Sequence, residues 1–88
     1  MSETVERVRL QFYYREGCHL CDDMWRQLEQ MQIDHPFELE RLDVDESAET
    51  RERLGHLIPV LEGGGETICH YYLDPVALKN YLIKTGAI

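Results

Sequence analysis

Apolar and polar residues alternate through Val8, Leu10, Phe12 and Tyr14, with Arg7, Arg9 and Gln11 on the other parity. A period of two predicts a half-buried strand from about Arg7 to Tyr14. The period then changes. Leu20, Met24, Leu28 and Met31 fall on one helical stripe, which predicts an amphipathic helix from about His19 to Gln32. It must stop before Pro36, because a proline pushes the preceding residue, His35, away from helical angles. Phe37 to Val44 reads as a second strand, less regular than the first. Phe37 and Leu39 share one parity while Leu42 and Val44 share the other, which a bulge near Arg41 or an edge position would reconcile.

Ser47 can cap a short second helix through Leu54, with Gly55 as a left-handed stop. Only Ala48 and Leu54 offer it a core face, so it is expected to be the weakest element. Two short runs follow, 57–61 and 67–72, with Gly63-Gly64-Gly65 between them, and together they predict a hairpin. Asp74-Pro75 is the preferred order for a helix start, aspartate as cap and proline at the first helical position. The closing helix carries Ala77, Leu78, Tyr81 and Leu82 on its apolar stripe, and Gly86 ends it.

The predicted order is β-α-β-α-β-β-α, an α/β fold. The first two strands, joined by a helix, should be parallel with a right-handed crossover. The hairpin adds two antiparallel strands, giving a four-stranded mixed sheet with helices on both faces. The 88 residues make one domain, 1–88, with room for one small core. A net charge of −8 argues against a nucleic-acid or anionic membrane partner. No apolar run is long enough to cross a bilayer, and residues 1–7 lack the basic-then-apolar start of a secretory signal. A cytoplasmic monomer is the expectation. In that compartment three cysteines are not a disulfide framework, and a Cys-x-x-Cys is catalytic or metal-binding.

That motif is Cys18-His19-Leu20-Cys21, at the junction of the first strand and the first helix. The first turn of a helix presents unpaired N–H groups and partial positive charge, which stabilises a thiolate over a thiol. Residues three apart on a helical turn face the same side. Such a pair can attack a disulfide with one sulfur and resolve the mixed disulfide with the other. Cys18, at or just before the helix start, is the expected nucleophile; Cys21, one turn in, is expected to resolve. His19 favours a Cys18 thiolate when protonated, whereas Glu16, Asp22 and Asp23 oppose it. The competing reading is half a zinc site. Zinc needs four ligands, and the one candidate second pair, Cys69-His70, would point to opposite faces of a strand. An iron–sulfur cluster shared between two chains is a further alternative.

With Cys18-His19-Leu20-Cys21 after the first strand, Ile58-Pro59-Val60 before the hairpin and a closing helix after Asp74, the chain resembles the thioredoxin fold. Within that fold it resembles the small bacterial glutaredoxin-like proteins, over nearly its whole length. The resemblance implies a thiol–disulfide oxidoreductase with a redox-active Cys18–Cys21 disulfide and no other cofactor or metal. It also places a cis-proline at Pro59, with Ile58 and Pro59 forming the platform for a substrate backbone. The sequence departs from the pattern in three places. His19 stands where proline usually follows the first cysteine, Glu16-Gly17 stands where thioredoxin carries tryptophan, and His70-Tyr71 falls near the usual Gly-Gly of the glutathione site. Weak glutathione binding is therefore expected, with a disulfide-containing protein or small thiol as substrate and a dithiol reductant upstream. The alternative is a non-catalytic metal-binding or protein-binding module on the same fold.

Cys69 is expected to be a small apolar strand residue. His35, His56 and His70 are expected at the surface or in loops. Tyr13, Tyr14, Tyr71 and Tyr72 are expected to pack along strands, and Trp25 to lie partly exposed near Cys21.

Overall fold

The computed structural model describes residues 8–88. Arg7, the expected start of the first strand, lies outside the described residues together with the rest of the segment 1–7. Strands β1 (Val8–Tyr14), β2 (Phe37–Asp43), β3 (Val60–Gly63) and β4 (Glu66–His70) form one sheet in the order β2-β1-β3-β4. β2 runs parallel to β1, and β3 and β4 are antiparallel additions, so the sheet is mixed. Helices α1 (His19–Asp34), α2 (Ala48–Leu54) and α3 (Pro75–Lys84) complete the β-α-β-α-β-β-α order, with a single 3-10 turn, Val44–Glu46, inserted before α2.

Alternation along β1 divides the molecule. Leu10 and Phe12 point to one face, where they meet Cys21, Met24 and Leu28 of α1, Leu61, Cys69, and Leu78 and Leu82 of α3. Full burial of each large apolar side chain contributes about 1.5–3 kcal/mol, which makes this face the main source of stability. Val60 points the other way and joins Val44 and Leu54 in a second, smaller cluster, with Tyr13 and Ile58 packed against it. α1 and α3 thus cover one face of the sheet and α2 the other. The thin contact of α2 is visible directly: Leu54 is buried and Ala48 exposed.

Several local expectations need correction. The broken parity of the second strand requires no bulge, because β2 pairs with β1 in unbroken register from Phe37 to Asp43 and lies at the sheet edge. Val44 has already left the strand. It belongs to the 3-10 turn, and that exit lets its side chain enter the second cluster. α1 runs two residues past Gln32, and His35 takes the extended conformation its proline demands, at φ −130 and ψ 135. Gly55 is not a left-handed stop; its φ is −58. Its lack of a side chain serves clearance, since a Cβ there would collide with the Arg51 carbonyl and approach Arg15 Nη2 to 3.2 Å.

The hairpin is shorter than its apolar runs. Leu57 and Ile58 precede β3, and β4 ends at His70, so Tyr71 and Tyr72 lie beyond the sheet and are exposed. Gly64 and Gly65, at φ 57 and 83, make the two-residue turn. Ile68 is left without a partner where the register shifts between Leu61 and Glu62, a one-residue bulge. Leu20 also leaves its expected place. It is 37% exposed, and Cys21 takes the core position at the start of the α1 stripe.

Candidate active site

The loop that carries the thiols is a tight turn. Arg15 C=O accepts the Cys18 N–H at 3.3 Å, and Gly17, at φ 79, supplies the positive φ that the third residue of such a turn needs. Cys18 then caps α1. Its backbone is extended (φ −96, ψ 109), its C=O accepts from Asp22 N at 3.1 Å, and its Sγ accepts from Cys21 N at 3.1 Å. The cysteine sulfur occupies the place of a capping oxygen and meets an N–H that the helix leaves unpaired. Cys18 and Cys21 are joined as a disulfide, with Cα atoms 5.2 Å apart.

The two sulfurs sit in different surroundings. Cys21 is 1% exposed and belongs to the main core, whereas Cys18 is half-buried at the rim. His19 is exposed at the first helical position, and its side chain forms no hydrogen bond among the described residues. Asp22 and Glu16 are also exposed. Asp23 accepts from Arg26 Nη2 at 2.6 Å across one turn of helix.

Pro59 is buried, Ile58 is half-buried, and the peptide between them is cis. Pro59 C=O accepts the Tyr71 N–H at 2.9 Å, which ties the start of β3 to the chain leaving β4. Among the described residues, neither the N–H nor the C=O of Ile58 has a backbone partner. Ile58 packs with the main core, as Cys18 does, and also with the second cluster.

Cys69 faces the main core and His70 faces solvent, so this pair does not converge. Burial pushes the Cys69 thiol above its ordinary value of 9.0, against a backbone N–H from Asp74 that lowers it. Trp25 is half-buried one turn beyond Cys21. Its ring packs against Phe12 at 5.3 Å, and the Arg41 guanidinium lies over both Trp25 (5.0 Å) and Tyr14 (4.3 Å).

Two features of the site had no signal in the residue pattern. The first is a clamp on the thiol loop. Arg15 Nε and Nη2 donate to the two carboxylate oxygens of Asp45 at 2.8 and 3.0 Å, and Nη1 donates to Gly55 C=O at 3.2 Å. That hydrogen bonding holds the Arg15 guanidinium above its usual pKa and Asp45 below the usual carboxylate range. The second is Tyr71, a non-glycine residue at φ 66. Its hydroxyl donates to His56 C=O at 2.9 Å, and its ring meets His70 edge-on at 4.7 Å. A conformation that costs a non-glycine residue about 1–2 kcal/mol is offset by contacts at both ends of the side chain. Spacing in the sequence signals neither feature: Arg15 and Asp45 are thirty positions apart, and no short-range rule asks for a left-handed tyrosine.

Comparison with known proteins agrees with this architecture. Residues 9–83 match the glutaredoxin-like domain (DUF836). A solution structure of protein Ne2328 from Nitrosomonas europaea is 35% identical over 92% of this chain and 98% of its own, with a TM-score of 0.81. Thioredoxin 1 from Thermosipho africanus superposes with a TM-score of 0.57 at 16% identity, over 89% of this chain and 98% of that one. A mutant thioredoxin from Halobacterium salinarum gives 0.59 at 26% identity, over 92% and 75%. No curated protein matches the sequence. The fold is thioredoxin-like, and the chain belongs to the glutaredoxin-like domain family.

Proposed function

We propose that this protein is a thiol–disulfide oxidoreductase that acts on protein disulfides and binds glutathione weakly. The observation that carries the reading is the unequal placement of two bonded sulfurs at a helix start: Cys18 is reachable and capped by an N–H, while Cys21 is buried one turn behind it. In the reduced protein the Cys18 thiolate attacks a substrate disulfide. A Cys18–substrate disulfide forms and the other substrate sulfur leaves as a thiolate. Cys21, losing its proton, then attacks Cys18 Sγ, closes the Cys18–Cys21 disulfide and releases the second substrate thiol. Two electrons pass to the substrate, and a dithiol reductant restores the pair by the reverse exchange. The Cys21 N–H favours the Cys18 thiolate both as attacking and as leaving group. The free N–H and C=O of Ile58 give an extended substrate backbone somewhere to pair beside the sulfur.

Four features support weak glutathione binding. The arginines that flank the motif in the sequence, Arg15 and Arg26, are engaged by Asp45 and Asp23. The N-terminus of α3 is closed by its own cap, Asp74, whose carboxylate accepts the Ala77 N–H at 3.0 Å. Tyr71 adopts the left-handed backbone that glycine adopts without strain, and it brings a ring there. A molecule with net charge −8 also repels an anionic tripeptide. No helix is long and apolar enough to cross a membrane among the described residues; the proposed setting is the cytoplasm, and the proposed state a monomer.

A metal-binding module is the alternative that the experiment must separate. Protein purified under reducing conditions is assayed for zinc and iron, then equilibrated across dithiol/disulfide redox buffers. A metal-free protein whose Cys18–Cys21 bond forms and breaks reversibly supports the oxidoreductase. Near-stoichiometric zinc or iron, lost only on chelation, would replace that reading with the metal-binding one.

A further inference from the structure

The two halves of the proposed site lie on different segments, and one side chain joins them. Cys18 closes the turn that starts at Arg15, whose C=O accepts the Cys18 N–H at 3.3 Å. Ile58 lies in the connection between α2 and β3, residues 55–59. The Arg15 guanidinium reaches that connection: Nη1 donates to Gly55 C=O at 3.2 Å, while Nε and Nη2 hold the Asp45 carboxylate at 2.8 and 3.0 Å. One residue thus bonds the thiol turn through its backbone and the platform segment through its side chain.

The rest of the connection is tied elsewhere. Leu57 N–H donates to Leu54 C=O at 2.8 Å, the Tyr71 hydroxyl donates to His56 C=O at 2.9 Å, and Tyr71 N–H donates to Pro59 C=O at 2.9 Å. None of these bonds reaches the thiol turn. α2 is a loose anchor for the segment, since Leu54 is its one buried residue. Gly55 lets the arginine come close, because a Cβ there would lie 3.2 Å from Arg15 Nη2. Arg15 and Asp45 are both more than a third exposed, and exposed ion pairs add little to stability. What a planar fork adds is direction: three N–H groups aimed at three oxygens on two residues fix where Gly55 sits.

We propose that Arg15 is a positioning residue: its guanidinium fixes the spacing between Cys18 and the Ile58 backbone, and so sets how fast disulfides carried on a peptide backbone are reduced. This role rests on the oxidoreductase reading and adds to it the residue that aligns its substrates. Arg15 acts through Gly55, three residues before Ile58 in the chain. The N–H and C=O of Ile58 have no backbone partner among the described residues, and an extended peptide can pair with them. Its disulfide then meets Cys18 only when the two segments keep their spacing. A small disulfide without a peptide backbone has nothing to align.

The test compares two disulfides reduced by the reduced full chain. One is the disulfide-linked homodimer of the end-blocked peptide Ala-Ala-Cys-Ala-Ala; the other is bis(2-hydroxyethyl) disulfide, which has no peptide backbone. The readout is the ratio of their second-order rates, peptide over small disulfide, followed by mass. Arg15→Lys keeps the charge and loses the fork, and Asp45→Ala leaves the guanidinium unheld. Each should lower the ratio about tenfold, within the roughly 100-fold that a misplacement of about 1 Å can cost. A loosened fold or a less reactive thiol would slow both disulfides alike, so a parallel fall of the two rates would make the clamp a structural support and overturn the proposal. A ratio unchanged in either variant would overturn it as well and leave the oxidoreductase standing. Reduction of neither disulfide by the wild type would instead overturn the oxidoreductase reading itself.

Discussion

The dithiol has two flanks of opposite character. On one, the Arg15 guanidinium is closed onto Asp45 and Gly55 C=O, and the segment that carries those partners is held to the sheet by Val44, Leu54 and Val60. On the other, Leu20, Tyr71 and Tyr72 turn apolar surface toward solvent. Polar groups that satisfy one another have little left to offer a partner, so the first flank fixes the thiol loop. Exposed apolar surface is what a partner can bury, so the second flank leaves surface unengaged. The same division explains why the molecule tolerates a strained tyrosine on the open side and a side-chain-free residue, Gly55, on the fixed one.

The fixed flank is the one where substitutions should cost most. Leu54→Ala removes the buried side chain by which α2 packs on the sheet and should destabilise the protein by about 2–5 kcal/mol, read as a lower urea midpoint at unchanged slope. A loss below about 1 kcal/mol, under the range for such truncations, would mean that the second cluster does not hold the clamp in place. Gly55→Ala sharpens the argument, because two effects compete in it. At φ −58 an alanine would ordinarily stabilise by about 0.4–1 kcal/mol. Here its Cβ meets the Arg51 carbonyl and the Arg15 guanidinium, and overpacking of that kind costs about 1–3 kcal/mol. Net destabilisation is expected, and a gain in stability would show that the clamp yields easily.

On the open flank, Tyr71→Gly should barely change stability. Relief of the left-handed backbone, about 1–2 kcal/mol, offsets the lost hydroxyl hydrogen bond to His56, about 0.5–1.5 kcal/mol, along with some ring contact. The change appears in binding instead. In a Cys21→Ser background, glutathione titration followed by amide shifts should approach saturation at low millimolar with Tyr71→Gly and not without it. Saturation without the substitution would place the protein among glutathione-dependent enzymes and erase the contrast between its flanks.

The smallest effect is one of pH. Asp45 is held below its ordinary value of 3.8 by hydrogen bonding and charge from Arg15. A depressed carboxylate contributes stability that is present above the unfolded value and lost as pH falls through the folded one. The difference in melting temperature between wild type and Asp45→Asn should therefore be constant from pH 5 upward and shrink below pH 3.8. A difference that persists at lower pH would show that the clamp does not depend on the charge of Asp45.

What could be read from the sequence follows from the range of the forces involved. β1, α1 and α3 announce themselves through local periodicity and caps: Asp74 and Pro75 mark the start of α3, and Pro36 the end of α1. The dithiol is legible for the same reason, because its chemistry depends on one turn of helix. Val44 was hidden because parity counting assumes that the strand continues, and here the strand ends one residue earlier. Leu20 fits the helical stripe by spacing, yet the sheet covers Cys21 instead, and spacing alone does not choose between neighbours on one face. The Arg15–Asp45 clamp and the Tyr71 contacts join residues far apart in the chain, so they exist only once the fold has brought β1, the 3-10 turn and the end of β4 together.

The central claim is that Cys18 is the attacking sulfur of a working redox pair. Brief alkylation of the fully reduced protein at neutral pH, followed by peptide mass analysis, tests it most directly. Cys18, half-buried and capped by an N–H, should be labelled first. Cys21 should lag because it is enclosed, and Cys69 because burial also pushes its thiol up. With the same reduced protein, Cys21→Ser should accumulate a mixed disulfide with a peptide substrate, and Cys18→Ser should form none. Labelling of Cys21 or Cys69 ahead of Cys18, or a trapped adduct in the Cys18→Ser variant, would contradict the account.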